Sequence, residues 1–291
     1  MALSRFRFEA IGTSWEIDTP APIDAGIRQE LLGIVSRFDC TYSRFRKDSI
    51  IARISEAVDG GSFTFPSEAE PMFDLYDRLH AATDGAVDPL IGRDLELLGY
   101  DREYFLSPRL RDDSLPRASW PRDVVRKGSE LSTRRPLTID LGAVGKGYLV
   151  DLVADVLETA GVRDFIVDGS GDMRHLGRSA LEVGLEHPLD PTMVIGIAKL
   201  LNRSLCASAA NRRQWGGNLH HVLDGRTGEP TMDVIATWAI ADDAATADGL
   251  ATALFFGSAS RLATAFDFSY VRMFADGRVE ASKDFEGELF T

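Results

Sequence analysis

The chain has 291 residues, 44% of them hydrophobic and 26% charged, a balance that suits one large globular domain or two small ones. Thirty-two basic against forty-five acidic residues leave a formal charge of −13, which makes nucleic acid and anionic membrane poor partners. No run approaches the roughly 18 apolar residues of a membrane helix, and Cys40 and Cys206 read as partly buried free thiols, too few for a disulfide framework.

The first residues carry no long apolar stretch, so the expectation is a cytoplasmic protein, exported only if a leader was removed. Residues 4–18 alternate apolar and polar around Ile11-Gly12-Thr13 and read as a hairpin or two short strands. Beyond Pro20 and Asp24, Ile27, Leu31, Leu32, Ile34, Val35 and Phe38 recur at helical spacing. A second helix is expected over 67–83, with Ser67 and Glu70 as its capping signature and Asp84-Gly85 closing it. Residues 101–136 are polar and rich in Arg, Asp and Pro, and read as an insertion or mobile loop within one domain spanning 1–291.

An apolar strand is expected next at 137–141, then a turn through Gly142 and Gly145 into a helix over 148–160 that Gly161 ends. Further strands are expected at 165–168, 180–186, 192–198 and 270–274, and a helix at 244–256. Strands from distant parts of the chain must pair, so the fold class is α+β, with largely antiparallel sheet and packed helices in a single domain.

Three stretches carry chemistry. The bend Asp140-Leu-Gly-Ala143-Val-Gly-Lys146-Gly147 brings a carboxylate, backbone amides, a free carbonyl and an ammonium to one point. Such a point suits a phosphorylated ligand, with Ala143 or a neighbour offering its carbonyl to a metal and Lys146 meeting phosphate. It is neither a P-loop nor a dinucleotide fingerprint. Asp248 and Thr252 stand four apart and share one helix face, where a carboxylate and a hydroxyl can hold a hard cation. Taken alone, that segment reads first as a capped core helix. His220-His221-Val222-Leu223-Asp224-Gly225 leads from a strand into a tight loop and offers an imidazole that titrates near neutrality. Gly85–Gly92 and Tyr42–Ser49 are weaker, each a loop able to line a ring-shaped ligand.

In this order the pieces resemble the ApbE family of flavin transferases. The blocks are Ile11-Gly12-Thr13, Ser43-x-Phe45-x-x-Asp48-Ser49, Gly85-x-x-Asp88-Pro89 and Asp140-Leu-Gly-Ala143-x-x-Lys146-Gly147-Tyr148-x-x-Asp151. They continue with Gly169-Ser-Gly171-Asp172, His221-Val-Leu-Asp224-x-x-Thr227-Gly228-x-Pro230 and Ala247-Asp248-x-x-Ala251-Thr252-Ala253.

The resemblance implies an enzyme that takes FAD as substrate with Mg²⁺ as cofactor. It implies transfer of the FMN moiety to a Thr or Ser hydroxyl of an acceptor flavoprotein, releasing AMP. The alternatives are an FAD pyrophosphatase, with water in place of the hydroxyl, and a flavin carrier without catalysis. Carried over by position, the Ala143 carbonyl, Asp248 and Thr252 would ligate magnesium, and Asp140 and Lys146 would contact FAD. Ile11, Phe45, Ala86, Val87, Asp88, Val222 and Leu223 would line the flavin and adenine sites. His221 would stand near the reaction centre, where it, or an acid it positions such as Asp224, would serve as base. The chain departs from the family with Ile11 for Met, Ser170 for a second glycine, Gly225 for proline, and Ala207-Ser208-Ala209 for Thr-Ser-Gly.

Overall fold

The computed structural model describes residues 3–109, 117–217 and 219–290. Part of the polar segment expected at 101–136, residues 110–116, lies outside the described residues.

The chain opens with the hairpin β1 (Ser4–Ala10) and β2 (Thr13–Thr19), paired Ala10 to Thr13. Its two-residue turn puts Ile11 at φ 45 and Gly12 at φ 74, the left-handed pair that matches the strand twist. Helices α1 (Ala25–Tyr42) and α2 (Ile50–Glu56) follow, then β3 (Gly61–Thr64) and α3 (Glu70–Ala82). Ser67 does not cap that third helix; it begins a single 3-10 turn, and Pro71 near the helix start fixes where the α-helix begins. Asp84 and Gly85, at φ 53 and 84, close it as expected.

Short helices α4 (Gly92–Leu97) and α5 (Trp120–Asp123) lead to β4 (Val124–Lys127) and β5 (Glu130–Thr133). These two strands and β3 form a separate three-stranded sheet in the order β3-β5-β4. The strand expected at 137–141 does not form. Leu137, Ile139 and Leu141 are buried in alternation, but the segment pairs with no strand, and the Asp140 amide donates to the Pro89 carbonyl at 2.7 Å.

Helix α6 (Gly145–Thr159) starts three residues earlier than expected, so Lys146 and Gly147 belong to its first turn. Then come β6 (Phe165–Asp168), β7 (Asp172–Leu176), β8 (Leu181–His187), β9 (Asp190–Leu200) and β10 (Ser204–Ala209). The two-residue strands β11 (Gln214–Trp215) and β12 (Leu219–His220) precede β13 (Val234–Ala241) and α7 (Ala244–Ala253). Helix α8 (Ala259–Leu262), β14 (Ser269–Phe274), β15 (Val279–Ala281) and β16 (Gly287–Leu289) complete the chain.

The main sheet runs β1-β2-β6-β7-β10-β13-β14-β15, each neighbouring pair antiparallel. One face carries α1, α3, α6 and α7 over a core that includes Trp15, Ile17, Phe165, Val167, Cys206, Ala239 and Ala241. The small residues Cys206, Ala239 and Ala241 let the alanine-rich α7 lie close against β10 and β13. On the other face Leu205, Trp238, Ile240 and Val271 pack against Leu185, Ile195 and Ala198 of the sheet β16-β9-β8. Cys206 is fully buried, whereas Cys40 is exposed, unlike the expected pair of partly buried thiols. Among the described residues no helix is long and apolar enough to cross a membrane.

Candidate functional site

The bend after Asp140 and the start of α7 meet at Gly147. A Cβ there would stand 2.1 Å from the Ala244 carbonyl oxygen and 2.7 Å from the Asp248 Cβ, so only glycine permits the approach. Across that gap the Gly147 amide donates to Asp248 Oδ2 at 2.9 Å. One turn along α6, Asp151 accepts from the amides of Ala244 (2.9 Å) and Ala245 (2.8 Å), and Asp243 caps the same helix through Thr246 N at 2.7 Å. Asp151 therefore clamps the first turn of α7 onto α6. Burial pushes its carboxyl up to about 6 against the pull of those two amides.

Asp248 is only 3% exposed. Burial, and then the Asp172 carboxylate, push its carboxyl well above the usual range, opposed by Lys146 and the backbone amides beside it. Lys146 Nζ lies 3.1 Å from Oδ2 of the fully buried Asp172 and donates to the Ser170 carbonyl at 3.3 Å. Burial disfavours the Lys146 charge, but Asp172 and Asp248 outweigh it and raise the ammonium above its ordinary value. Ser170 (φ 63) and Gly171 (φ 99) form the tight turn that returns the chain to Asp172, and a glycine at 170 would relax it.

Asp140 is held from both sides. Its Oδ1 accepts from Gly142 N at 2.7 Å and its Oδ2 from Arg44 Nε at 2.5 Å. Burial pushes this carboxyl up, and the Arg44 guanidinium with the Gly142 amide more than reverses that, holding it below the usual carboxylate range. Arg44 is itself buried, donates to the Tyr100 carbonyl at 2.9 Å and lies 4.2 Å from the Phe45 ring centre. Phe45 stacks against Tyr104 (centroids 5.5 Å apart, planes 5° apart), and Tyr100 against Trp215 at 5.4 Å.

His221 begins a loop closed by the Leu223–Pro230 bridge and the Asp224 N to Glu229 O bond of 2.9 Å. Burial, with Arg213 and His220, lowers the His221 imidazole to about 4, and its buried Nδ1 has no hydrogen-bond partner among the described residues. The Gly225 amide donates to the Ala86 carbonyl at 2.8 Å, tying this loop to the 85–88 turn. Proline at 225 would lack that donor, and a Cβ there would lie 2.5 Å from the Gly85 oxygen.

These parts enclose one cavity of about 1430 Å³, beyond the range of about 300–1,000 Å³ typical of small-molecule pockets. Lys146, Asp140, Ala143, Asp248, Thr252 and His221 line it, as do Ile11, Phe45, Ala86, Val87, Asp88, Val222 and Leu223. Asp224 alone among the expected residues stands outside its lining; its carboxylate accepts from Arg226 Nε at 2.9 Å and NH2 at 2.5 Å and sets the turn. Asp88 lines the wall but spends its carboxylate on Leu90 N (2.8 Å) and Trp120 N (3.0 Å).

Side chains outside the expected set also line it, among them Arg44, Tyr100, Arg213 and Trp215. Arg44 lies within the 43–49 stretch, but no local pattern marks it as the buried partner of Asp140, ninety-six residues away. The other three lie in no motif, and nothing in their local sequence marks them. Among the described residues no three His, Cys, Asp or Glu side chains cluster as a metal group. A cation at Asp248 would therefore draw on neutral oxygens for its other protein ligands.

The chain matches the ApbE family over residues 11–269. A relative from Vibrio cholerae serotype O1, named FAD:protein FMN transferase, is 27% identical over 267 residues, covering 84% of this chain and 78% of that one. The fold is that of the flavin transferase ApbE from Vibrio cholerae (TM-score 0.81, 24% identity, 98% of each chain covered). The ApbE protein from Thermotoga maritima shares it too, with a TM-score of 0.83 at 24% identity over 97% of each chain.

Proposed function

Because this chain belongs to the ApbE family, we propose that it transfers the FMN moiety of FAD to a Ser or Thr hydroxyl of an acceptor flavoprotein, releasing AMP. The observation that carries this reading is the meeting of the bend and α7 at Asp248, on the wall of a cavity with ample room for a dinucleotide. Phosphoryl transfer needs aligned reactants and charge stabilisation more than covalent help, and the wall offers both.

A divalent cation fits Asp248, Thr252 and the Ala143 carbonyl. The buried Asp248 carboxylate has its charge disfavoured by its surroundings, and a carboxylate, a hydroxyl and a carbonyl are the hard donors magnesium prefers. When bound, the ion supplies positive charge at phosphoryl oxygens. Lys146, kept charged by Asp172, faces the same phosphates. Arg44 and Gly142 keep Asp140 ionised, as an acceptor for donors on the dinucleotide. Phe45, Val222 and Leu223 give its rings apolar walls.

His221 is neutral at physiological pH, and its unpartnered Nδ1 takes the proton of the acceptor hydroxyl as that oxygen bonds to the FMN phosphorus. The bond to the AMP oxygen breaks, and AMP leaves with the electron pair. Asp224 fixes the loop that carries His221 and takes no proton.

Chromatography of the products tests this reading. With FAD, magnesium and an acceptor, AMP should appear without matching free FMN. Stoichiometric free FMN would identify a pyrophosphatase instead.

A further inference from the structure

Five basic side chains line the cavity among the described residues: Arg5, Arg44, Arg46, Lys146 and Arg213. Four are neutralised by the protein itself: Arg5 by Asp18 (2.8 Å), Arg44 by Asp140 (2.5 Å), Arg46 by Asp48 (2.7 Å) and Lys146 by Asp172 (3.1 Å). Arg213 has no ion pair among the described residues. Among the described residues its one side-chain hydrogen bond runs from NH1 to the Tyr100 hydroxyl at 2.5 Å, and its guanidinium lies 5.9 Å from the Tyr100 ring centre. In a chain of charge −13, an unpaired guanidinium on a cavity wall is a site where a ligand's anion replaces the missing carboxylate.

Arg213 also stands at the junction of the other groups. It leads into β11, whose Trp215 stacks on Tyr100. Its charge helps lower both the Asp140 carboxyl and the His221 imidazole, so both lie within its electrostatic reach. A guanidinium carries five donors in a fixed fork, and the Tyr100 hydroxyl uses one of them.

We propose that Arg213 is a binding residue for the phosphates of the dinucleotide, giving a bidentate contact that the paired cations of the cavity do not give. The Tyr100–Trp215 stack holds the guanidinium at the wall before the ligand arrives. The assignment rests on the FAD reading above and adds to it a further residue, beside Lys146, that distinguishes phosphorylated from unphosphorylated flavin.

Flavin fluorescence titrations with FAD and with riboflavin test it, since riboflavin shares the ring and lacks phosphate. R213Q should weaken FAD binding by about ten- to a hundred-fold and leave riboflavin within two-fold. Y100F, which removes the anchoring hydroxyl but keeps the stack, should retain most of the FAD affinity. Equal loss of both ligands in R213Q, no loss of either, or a Y100F loss matching R213Q would each overturn the assignment. If R213Q does not fold, R213K keeps the charge without the fork, and must lose FAD affinity selectively. Wild-type protein that does not bind FAD would sink the transferase reading together with this one. Wild-type FAD binding that R213Q leaves intact would remove only the role of Arg213.

Discussion

At the residue scale the site is a set of charges held in unfavourable places by specific neighbours. His221 makes this measurable. Unfolded, a histidine binds its proton near 6.5, but in the folded chain His221 does so only near 4. Between those values the unfolded chain holds the extra proton, so folding stability rises with pH. Asp151, raised to about 6, holds its proton in the folded state and works in the opposite direction over part of that range. The stability difference between wild type and H221Q isolates the histidine. It should shift in favour of wild type from pH 4 to 6.5, by at most about 3 kcal/mol. A difference that stays flat in urea melts across that range would contradict the depressed titration. H221Q should also slow transfer by about a hundred-fold or more at neutral pH; near-normal single-turnover rates would remove it as the base.

At the element scale the account depends on α6 and α7 touching. G147A inserts a methyl against the Ala244 carbonyl and Asp248. It should destabilise the fold by about 1–3 kcal/mol and displace Asp248. An unchanged melting temperature with full activity would show that the contact does not matter. D151A leaves the Ala244 and Ala245 amides without their acceptor and should cost about 0.5–2 kcal/mol; amide hydrogen exchange concentrated at the start of α7 would report it. The bend and α7 were legible in the sequence because glycines, acids and small residues mark them. The 137–141 segment was misread because buried alternation fits a strand even where no partner strand lies alongside. Strands β10 and β13 escaped notice for a related reason. They lie inside the sheet, and β13 is apolar on both faces, with Trp238 and Ile240 on one side and Ala239 and Ala241 on the other, so no polar alternation announces it. Helix α2 is seven residues long, too short for a clear period, and only its Ser49 cap, accepting from Ala52 N at 2.9 Å, marks its start.

At the scale of the whole molecule, an eight-stranded sheet separates a helical layer from a smaller three-stranded sheet. The cavity gathers residues from Arg5 to Phe256. Ordered motifs named the polar centre of its wall, but Arg213, Tyr100 and Trp215 converge only in three dimensions, and no local pattern announces such a meeting. The meeting of mid-chain bend and late helix is what the proposed function requires, and intact mass spectrometry of an acceptor domain bearing a Ser or Thr site tests it most directly. Incubated with FAD, magnesium and wild-type protein, the acceptor should gain the mass of one FMN, and with D248A it should gain none while that variant stays folded. An acceptor fully modified by D248A, or AMP released by wild type with no mass gained, would contradict the account.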